Sequence, residues 1–377
     1  MRINKKPFEC CGCSACYAAC PTGAITMTSD EQGFLYPVID DSKCVDCGKC
    51  EKVCSFKKDH AVAQNQIELD CYALIHKDPE QRMKSRSGGA FYSLACAMLA
   101  RGGVVYGVAL NESHQAIVIR VEKEDQLYRL QGSKYVQCDK RDSFRSVKAD
   151  LESGKMVLYS GTGCEIGGLQ SYLQNHRVDT GRLYTCDLIC HGVQSPLVWR
   201  ENLKYIEKKM NKKIDRVSFR DKTFGWHPHI ESYRSGNKIR YANRYTTLFY
   251  SRVCVRPSCG VCHFCSYERS GDITLADFWG IEKVNIDQSL NRGVSLLMIH
   301  TKNGKELTEW ASDDVCLYPV TKDQTVQKNL LNPSALSPES ERFWRDFKKY
   351  GYRKASSRLY KPYNRVQLMY NYVFRRK

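Results

Sequence analysis

Four cysteines in eleven residues, twice over, constrain this chain more than any other feature. Cys10, Cys13, Cys16 and Cys20 form a C-x2-C-x2-C-x3-C run followed by Pro21, and Cys44, Cys47, Cys50 and Cys54 repeat the spacing. Two residues between cysteines let one tight turn aim three thiolates at a single iron–sulfur cube, while the fourth cysteine of each run reaches across to the other cube. The spacing therefore predicts two [4Fe–4S] clusters. One is held by Cys10, Cys13, Cys16 and Cys54, the other by Cys44, Cys47, Cys50 and Cys20. Cys11 is spare, and Ser55 replaces the second run's proline, which removes a rigid turn but no ligand. Zinc favours separated C-x2-C pairs rather than this density. Two clusters in one small module pass electrons in sequence, so the module reads as a wire and not as a reaction site.

The chain has 20 cysteines in 377 residues; nine precede residue 55 and four lie between Cys254 and Cys265. No run of 18 apolar residues is present, and Met1 to Phe8 is basic without an apolar h-region. These features predict a cytoplasmic chain with reduced thiols, whose cysteines are explained by metal ligation rather than disulfides. The formal charge is +17. Clusters at about −2 each would bring a chain loaded with three to about +11. Residues 341–377 hold twelve Lys/Arg against two acids. Such a segment is a solvated arm, or a surface for an acidic redox partner, an anionic membrane or nucleic acid. Its ten aromatic residues argue that part of it packs on the core.

Residues 57–69 are polar and weakly patterned and read as a linker. From Cys71 the pattern alternates between strand and helix. Strands are predicted at 71–76, 104–110, 116–122, 155–160, 183–190, 272–279 and 295–301, with a hairpin turning at Ser235-Gly236-Asn237. Helices are predicted over 90–100, from an Asp142 cap to Gly154, from the loop Gly161-Thr162-Gly163-Cys164 to about Asn175, and from a Ser195 cap with Pro196 first to about Asn211.

Eight stretches in collinear order carry a resemblance: SRSGGAFYSLACAML (85–99), GSKYVQ (132–137), VLYSGTGCEIGGL (157–169), DLICHGVQSPLVW (187–199), SFRDKTFGW (218–226), CVRPSCGVCHFC (254–265), DITLADFWG (272–280) and RGVSLLMIHT (292–301). Together they resemble the beta-subunit family of coenzyme F420-reducing hydrogenase and dehydrogenase, flavoproteins that carry FAD and [4Fe–4S] clusters. The implied fold class is α+β. A ferredoxin-like two-cluster module (1–60) is followed by a mixed α/β flavin-binding domain (70–330) and a basic aromatic tail (331–377). One departure stands out. The family loop usually reads Gly-Thr-Pro-Cys, and Gly163 takes the proline's place, which predicts a looser turn.

The resemblance implies site residues. Ser87, Gly88 and Gly89 precede a helix, where glycines let a phosphate approach the backbone and the helix end favours an anion. Lys134 and Tyr135 offer flavin a cation and a ring to stack on. Thr162 and Cys164 lie in a strand-to-helix turn, where α/β sheets bind ligands, and a thiol at a helix N-terminus has a lowered pKa. Cys254, Cys259, Cys262 and Cys265 offer a third cluster, with zinc as the alternative; Cys164 and Cys190 are further candidates for its fourth ligand. His191 and His263 sit beside cysteines, Asp277 is a partner for Arg256 or Lys134, and His227 and His229 are general-acid candidates. The implied activity is flavin-dependent electron transfer to or from a deazaflavin or another small anionic substrate, with ferredoxin or another acidic protein as donor or acceptor. The contrasting reading is a zinc-holding, non-catalytic nucleic-acid or partner-binding protein.

Overall fold

The two cysteine runs fold alike. Cys10 to Cys16 turns through two left-handed residues, Gly12 (φ 71°) and Ser14 (φ 67°), into helix α1 (Ala15–Ala19). Strands β1 (Ile25–Ser29) and β2 (Leu35–Ile39) pair antiparallel, with Ile25 opposite Ile39. Cys44 to Cys50 then repeats the course through Asp46 (φ 51°) and Gly48 (φ 70°) into α2 (Lys49–Lys52). A left-handed residue inside each cysteine pair curls the loop around one centre, which is what a shared cube requires. The computed structural model describes residues 3, 6–56, 63, 65–286 and 290–363.

The larger part begins with β3 (Gln66–His76), α3 (Pro79–Lys84), α4 (Ala90–Ala100), β4 (Val104–Leu110) and β5 (Ala116–Val121). It continues through α5 (Ser143–Glu152), β6 (Val157–Ser160), α6 (Gly163–Asn175), β7 (Leu183–Leu188) and α7 (Pro196–Met210). A three-stranded meander follows: β8 (Arg216–Ser218), β9 (Glu231–Ser235), β10 (Lys238–Ala242), and then α8 (Arg244–Ser251). The chain returns with β11 (Ile273–Asp277), β12 (Ser295–Thr301), α9 (Lys302–Trp310), β13 (Val315–Pro319), α10 (Lys328–Leu331) and α11 (Ser340–Ser357). Eight strands form one mixed sheet in the order β13-β3-β12-β11-β7-β6-β4-β5. Its middle, β11-β7-β6-β4, is parallel, so four carboxyl ends open on one edge. Open α/β sheets bind ligands at that edge. The architecture is mixed α and β around this large sheet.

Local chemistry explains most boundaries. Ser195 Oγ accepts from Val198 N at 3.2 Å, and Pro196 opens α7. β9 and β10 turn at Gly236-Asn237, with Ser235 opposite Lys238. The 57–69 linker reading needs correction at its end. β3 starts at Gln66, because Ile67 and Leu69 pack against apolar core and β3 lies between β12 and β13. Residues 57–62 and 64 lie outside the described residues.

The cysteine module does not sit apart from the sheet. Ala15, Ala18, Ala19, Ile25 and Val53 share one apolar cluster with Val104, Tyr106, Phe144, Ile166, Leu169 and Tyr172. The basic tail also packs. α11 buries Phe343, Tyr352 and Ala355 against Val198, Trp199 and Leu203, and Tyr352 Oη donates to Asn202 Oδ1 at 2.7 Å. Arg342, Arg345, Lys348, Lys349, Arg353 and Lys354 remain exposed.

Candidate redox centre

The cysteines of the two runs line two cavities. Cys10, Cys13, Cys16 and Cys54 line one, together with Ile3, Ala15, Met27 and Phe56. Cys20, Cys44, Cys47 and Cys50 line the other. Each cavity thus draws three thiols from one run and the last from the other. The crossing arises because α1 carries Cys16 toward one cavity while Cys20, at its end, faces the other. The first cavity's thiols are the more buried: Cys16 is buried, whereas Cys47 is exposed. Among the described residues, no three His, Cys, Asp or Glu side chains form a shell around a single ion. A cube places its thiolates on separate irons and spreads them wider than one ion does.

A third cavity gathers Cys11, Cys164, Cys190, Cys259, Cys262 and Cys265. Cys254 is a correction to the 254–265 reading. It is buried in the apolar cluster beneath α7 and α8, and its thiol donates to Gln194 Oε1 at 3.3 Å. Cys190 occupies the third cavity instead, because it follows the carboxyl end of β7 and so reaches the ligand edge. Its position just past a buried strand was the signal for that role.

Cys11, the spare residue, joins the first and third cavities. It lines both and hydrogen-bonds Cys13 in one and Cys164 in the other, flanked by Phe56 and Phe264. The bond with Cys11 draws the Cys13 thiol down to about 7 against the opposing effect of burial. The separate contact of Cys11 with Cys164, more than the Thr162 hydroxyl or Lys140, lowers Cys164. Below this wall lies a buried ion pair. Lys140 Nζ donates to Glu165 Oε1 at 2.6 Å and to the Cys138 carbonyl at 2.9 Å. Glu165 Oε2 accepts from Thr162 N at 2.8 Å, which closes a capping box over the 161–164 turn. Gly163 does not loosen this turn. It is the first residue of α6, and a Cβ there would stand 3.2 Å from Phe264 Cβ.

A cleft of about 260 Å³ opens at the carboxyl ends of β6, β7 and β11. Ser87, Gly89, Lys134, Tyr135 and Thr162 line it, with Arg86, His191, Asp277 and Trp279. It shares Thr162, Glu165, Leu188, Cys190, Gly192 and Val193 with the third cavity. Arg86 Nε is buried there with no hydrogen-bond partner. The Tyr135 ring stacks on Phe249 with centroids 4.6 Å apart.

Several sequence expectations change here. Lys134 reaches the cleft, but Nζ donates to the carbonyls of Arg129, Leu130 and Gln131, which uses all three donors. Burial brings its pKa to about 7. Gly88 does not line the cleft. It lies against β3 and β12, its N–H donates to Ser295 Oγ at 2.9 Å, and a Cβ would collide with the Leu74 carbonyl. Asp277 pairs with Arg220 rather than Arg256 or Lys134, and also accepts from Trp226 Nε1 at 3.2 Å. His229 is bonded to Tyr250 Oη at 2.8 Å, and burial lowers its pKa to about 4, so at neutral pH the ring is the neutral imidazole rather than the imidazolium a general acid needs. The His227 ring packs against Trp226 and Trp279, and the His263 ring against Phe56.

Residues 9–58 match the family model described as "4Fe-4S dicluster domain". Residues 154–323 match the model for the carboxyl-terminal part of the beta subunit of coenzyme F420 hydrogenase/dehydrogenase. Apart from Ile3, the lining of the first two cavities lies within the dicluster match, and the third and the cleft draw most of their carboxyl-terminal lining from the beta-subunit match. The chain carries the carboxyl-terminal domain of that beta-subunit family behind a 4Fe-4S dicluster domain. No curated protein matches it. A solved structure titled "Xenon derivatization of the F420-reducing [NiFe] hydrogenase complex from Methanosarcina barkeri" is similar at 14% identity, with a TM-score of 0.47, covering 78% of this chain and 92% of that one.

Proposed function

We propose that this chain is an iron–sulfur flavoprotein oxidoreductase that passes electrons along a fixed line of four sites. The observation that carries this reading is the sharing of walls. The two dicluster cavities interleave, Cys11 lines both the first and the third, and six residues line both the third and the cleft. We assign residues 1–60 to the two-cluster module, 70–330 to the flavin-binding domain and 331–377 to the tail. Cys190, Cys259, Cys262 and Cys265 supply the four ligands of a third [4Fe–4S] cluster, and Cys164 lines the same cavity beside them.

The cleft suits FAD. It is largely apolar, with a few polar groups at one edge of a parallel sheet. Ser87, Gly89, Arg86, Tyr135 and Thr162 would hold the cofactor, with the unpartnered Arg86 Nε facing an anionic group. Flavin converts two-electron chemistry into the single-electron steps that clusters carry. The substrate class is a deazaflavin or another small anion. The exposed cations of α11 would steer an acidic donor such as ferredoxin. Among the described residues no helix is long and apolar enough to cross a membrane. The zinc-holding reading is disfavoured by the dicluster match and the crossed cysteine sets.

The test is the composition of anaerobically reconstituted protein. About twelve irons per chain and a flavin band are expected; stoichiometric zinc with little iron rejects the reading. Cys190→Ser should lower the iron by about four atoms, whereas Cys254→Ser should leave it unchanged. The opposite result would restore Cys254 as the ligand.

A second measurement probes the cleft directly. Arg86→Ala should weaken FAD binding about tenfold or more in equilibrium dialysis, the loss of one charge-assisted hydrogen bond. Unchanged affinity would move the cofactor's anionic end elsewhere.

A further inference from the structure

Arg256 is completely buried, at 0% exposure, and its hydrogen bonds go to the Cys10 and Leu35 carbonyls and the Cys10 sulfur rather than to a carboxylate. It leaves the same loop as Cys259 and ends behind Cys10. Nε donates to the Cys10 carbonyl at 2.8 Å, and Nη2 to the Leu35 carbonyl at 3.0 Å and toward Cys10 Sγ at 3.6 Å. Nη1 has no partner. The Tyr36 ring lies 4.0 Å from the guanidinium carbon. Room is made for it by Gly12, where a Cβ would stand 3.1 Å from Arg256 Cζ and 2.5 Å from Gln137 Nε2, a second buried donor without a partner.

A guanidinium stays protonated. Burying one without a counter-charge is strongly unfavourable, and an aromatic face offsets only part of that. The site therefore calls for an anion, and among the described residues the thiol within hydrogen-bond distance of the guanidinium is Cys10, while the Cys259 thiol and the Tyr36 hydroxyl lie farther off in its field. We propose that Arg256 is the built-in counter-ion of the cluster held by Cys10, Cys13, Cys16 and Cys54, and that it raises this cluster's reduction potential above that of its neighbour. This rests on the iron–sulfur reading above. Reduction adds one negative charge to the cluster, so a fixed cation hydrogen-bonded to a ligand sulfur stabilises the reduced form more than the oxidised one. The other charged residues that line the two cavities, Glu9 at the first and Asp46 and Lys49 at the second, are exposed, where water screens them. Electrons entering at the exposed Cys47 side thus run downhill toward Cys11 and the third cavity. Arg256 is a positioning residue that acts through Cys10.

Redox titration of the reconstituted full chain, followed by electron paramagnetic resonance, tests the proposal. In Arg256→Gln the midpoint of one N-terminal cluster should fall while the other stays, with iron content retained; Arg256→Lys should recover most of the shift. A second variant does not depend on how Arg256→Gln folds. Cys47→Ser removes the outer cluster, and the N-terminal signal that remains should be the higher-potential one of the wild type. Equal midpoints in wild type and Arg256→Gln at full iron, or survival of the lower-potential signal in Cys47→Ser, overturns the counter-ion role alone. A folded wild-type chain without iron overturns the iron–sulfur reading and this proposal with it.

Discussion

Cys54→Ser is expected to lose about four irons, and to lose them from the cavity of Cys10, Cys13 and Cys16 rather than from that of its own run. The reason is geometric: Cys54 lines the first cavity and Cys20 the second. Paired variants read the crossing. Cys13→Ser added to Cys54→Ser should remove no further iron, because both empty one site. Cys47→Ser added to Cys54→Ser should remove about four more. Iron analysis with Mössbauer spectroscopy on reconstituted samples decides it. If Cys54 and Cys47 behave as one site, each run binds its own cluster and the crossing is wrong.

Glu165→Leu should destabilise the fold by about 3–5 kcal/mol in guanidinium titrations, because it strands Lys140 as an uncompensated buried charge. The two side chains are only 3% and 9% exposed, so solvent does little to screen them. Glu165 also holds the N–H of Thr162, and losing it opens the turn that presents Cys164. A paired Lys140→Met/Glu165→Leu variant should regain most of the loss, since apolar residues of similar size often replace a buried ion pair at little cost. A loss below about 1 kcal/mol for Glu165→Leu alone would place the pair in water rather than in the core.

The cysteine spacing alone carried the module's wiring to the level of which thiol faces which cavity, because a cube dictates spacing and spacing is local. Parallel strands such as VLYS and LYTCDL were legible for a similar reason: strands buried on both faces read as apolar runs. What escaped depended on distant contacts. Cys254 stands in the C-x4-C-x2-C-x2-C run, yet its neighbours Val253 and Val255 are core residues and carry it inward. Lys134 has the chemistry of a phosphate ligand, but the carbonyl end of the 3-10 turn Glu124–Arg129 lies closer. Arg256 drew notice only as a partner for Asp277. No sequence pattern signals that its target lies 246 positions earlier, at Cys10.

The apolar cluster that joins α1 to α6 has a mechanical meaning. Many electron carriers are tethered: they swing, touch, and leave, and their speed is set by a hinge. In the proposed electron path the stations are instead embedded in a common solid, with Cys11 as grout between two of them. Hand-over across such a wall involves no search and no encounter, so the spacing between stations is inherited from side-chain volume. Any mutation that swells or hollows that cluster is thereby a change in circuit length, even when it touches no cysteine at all.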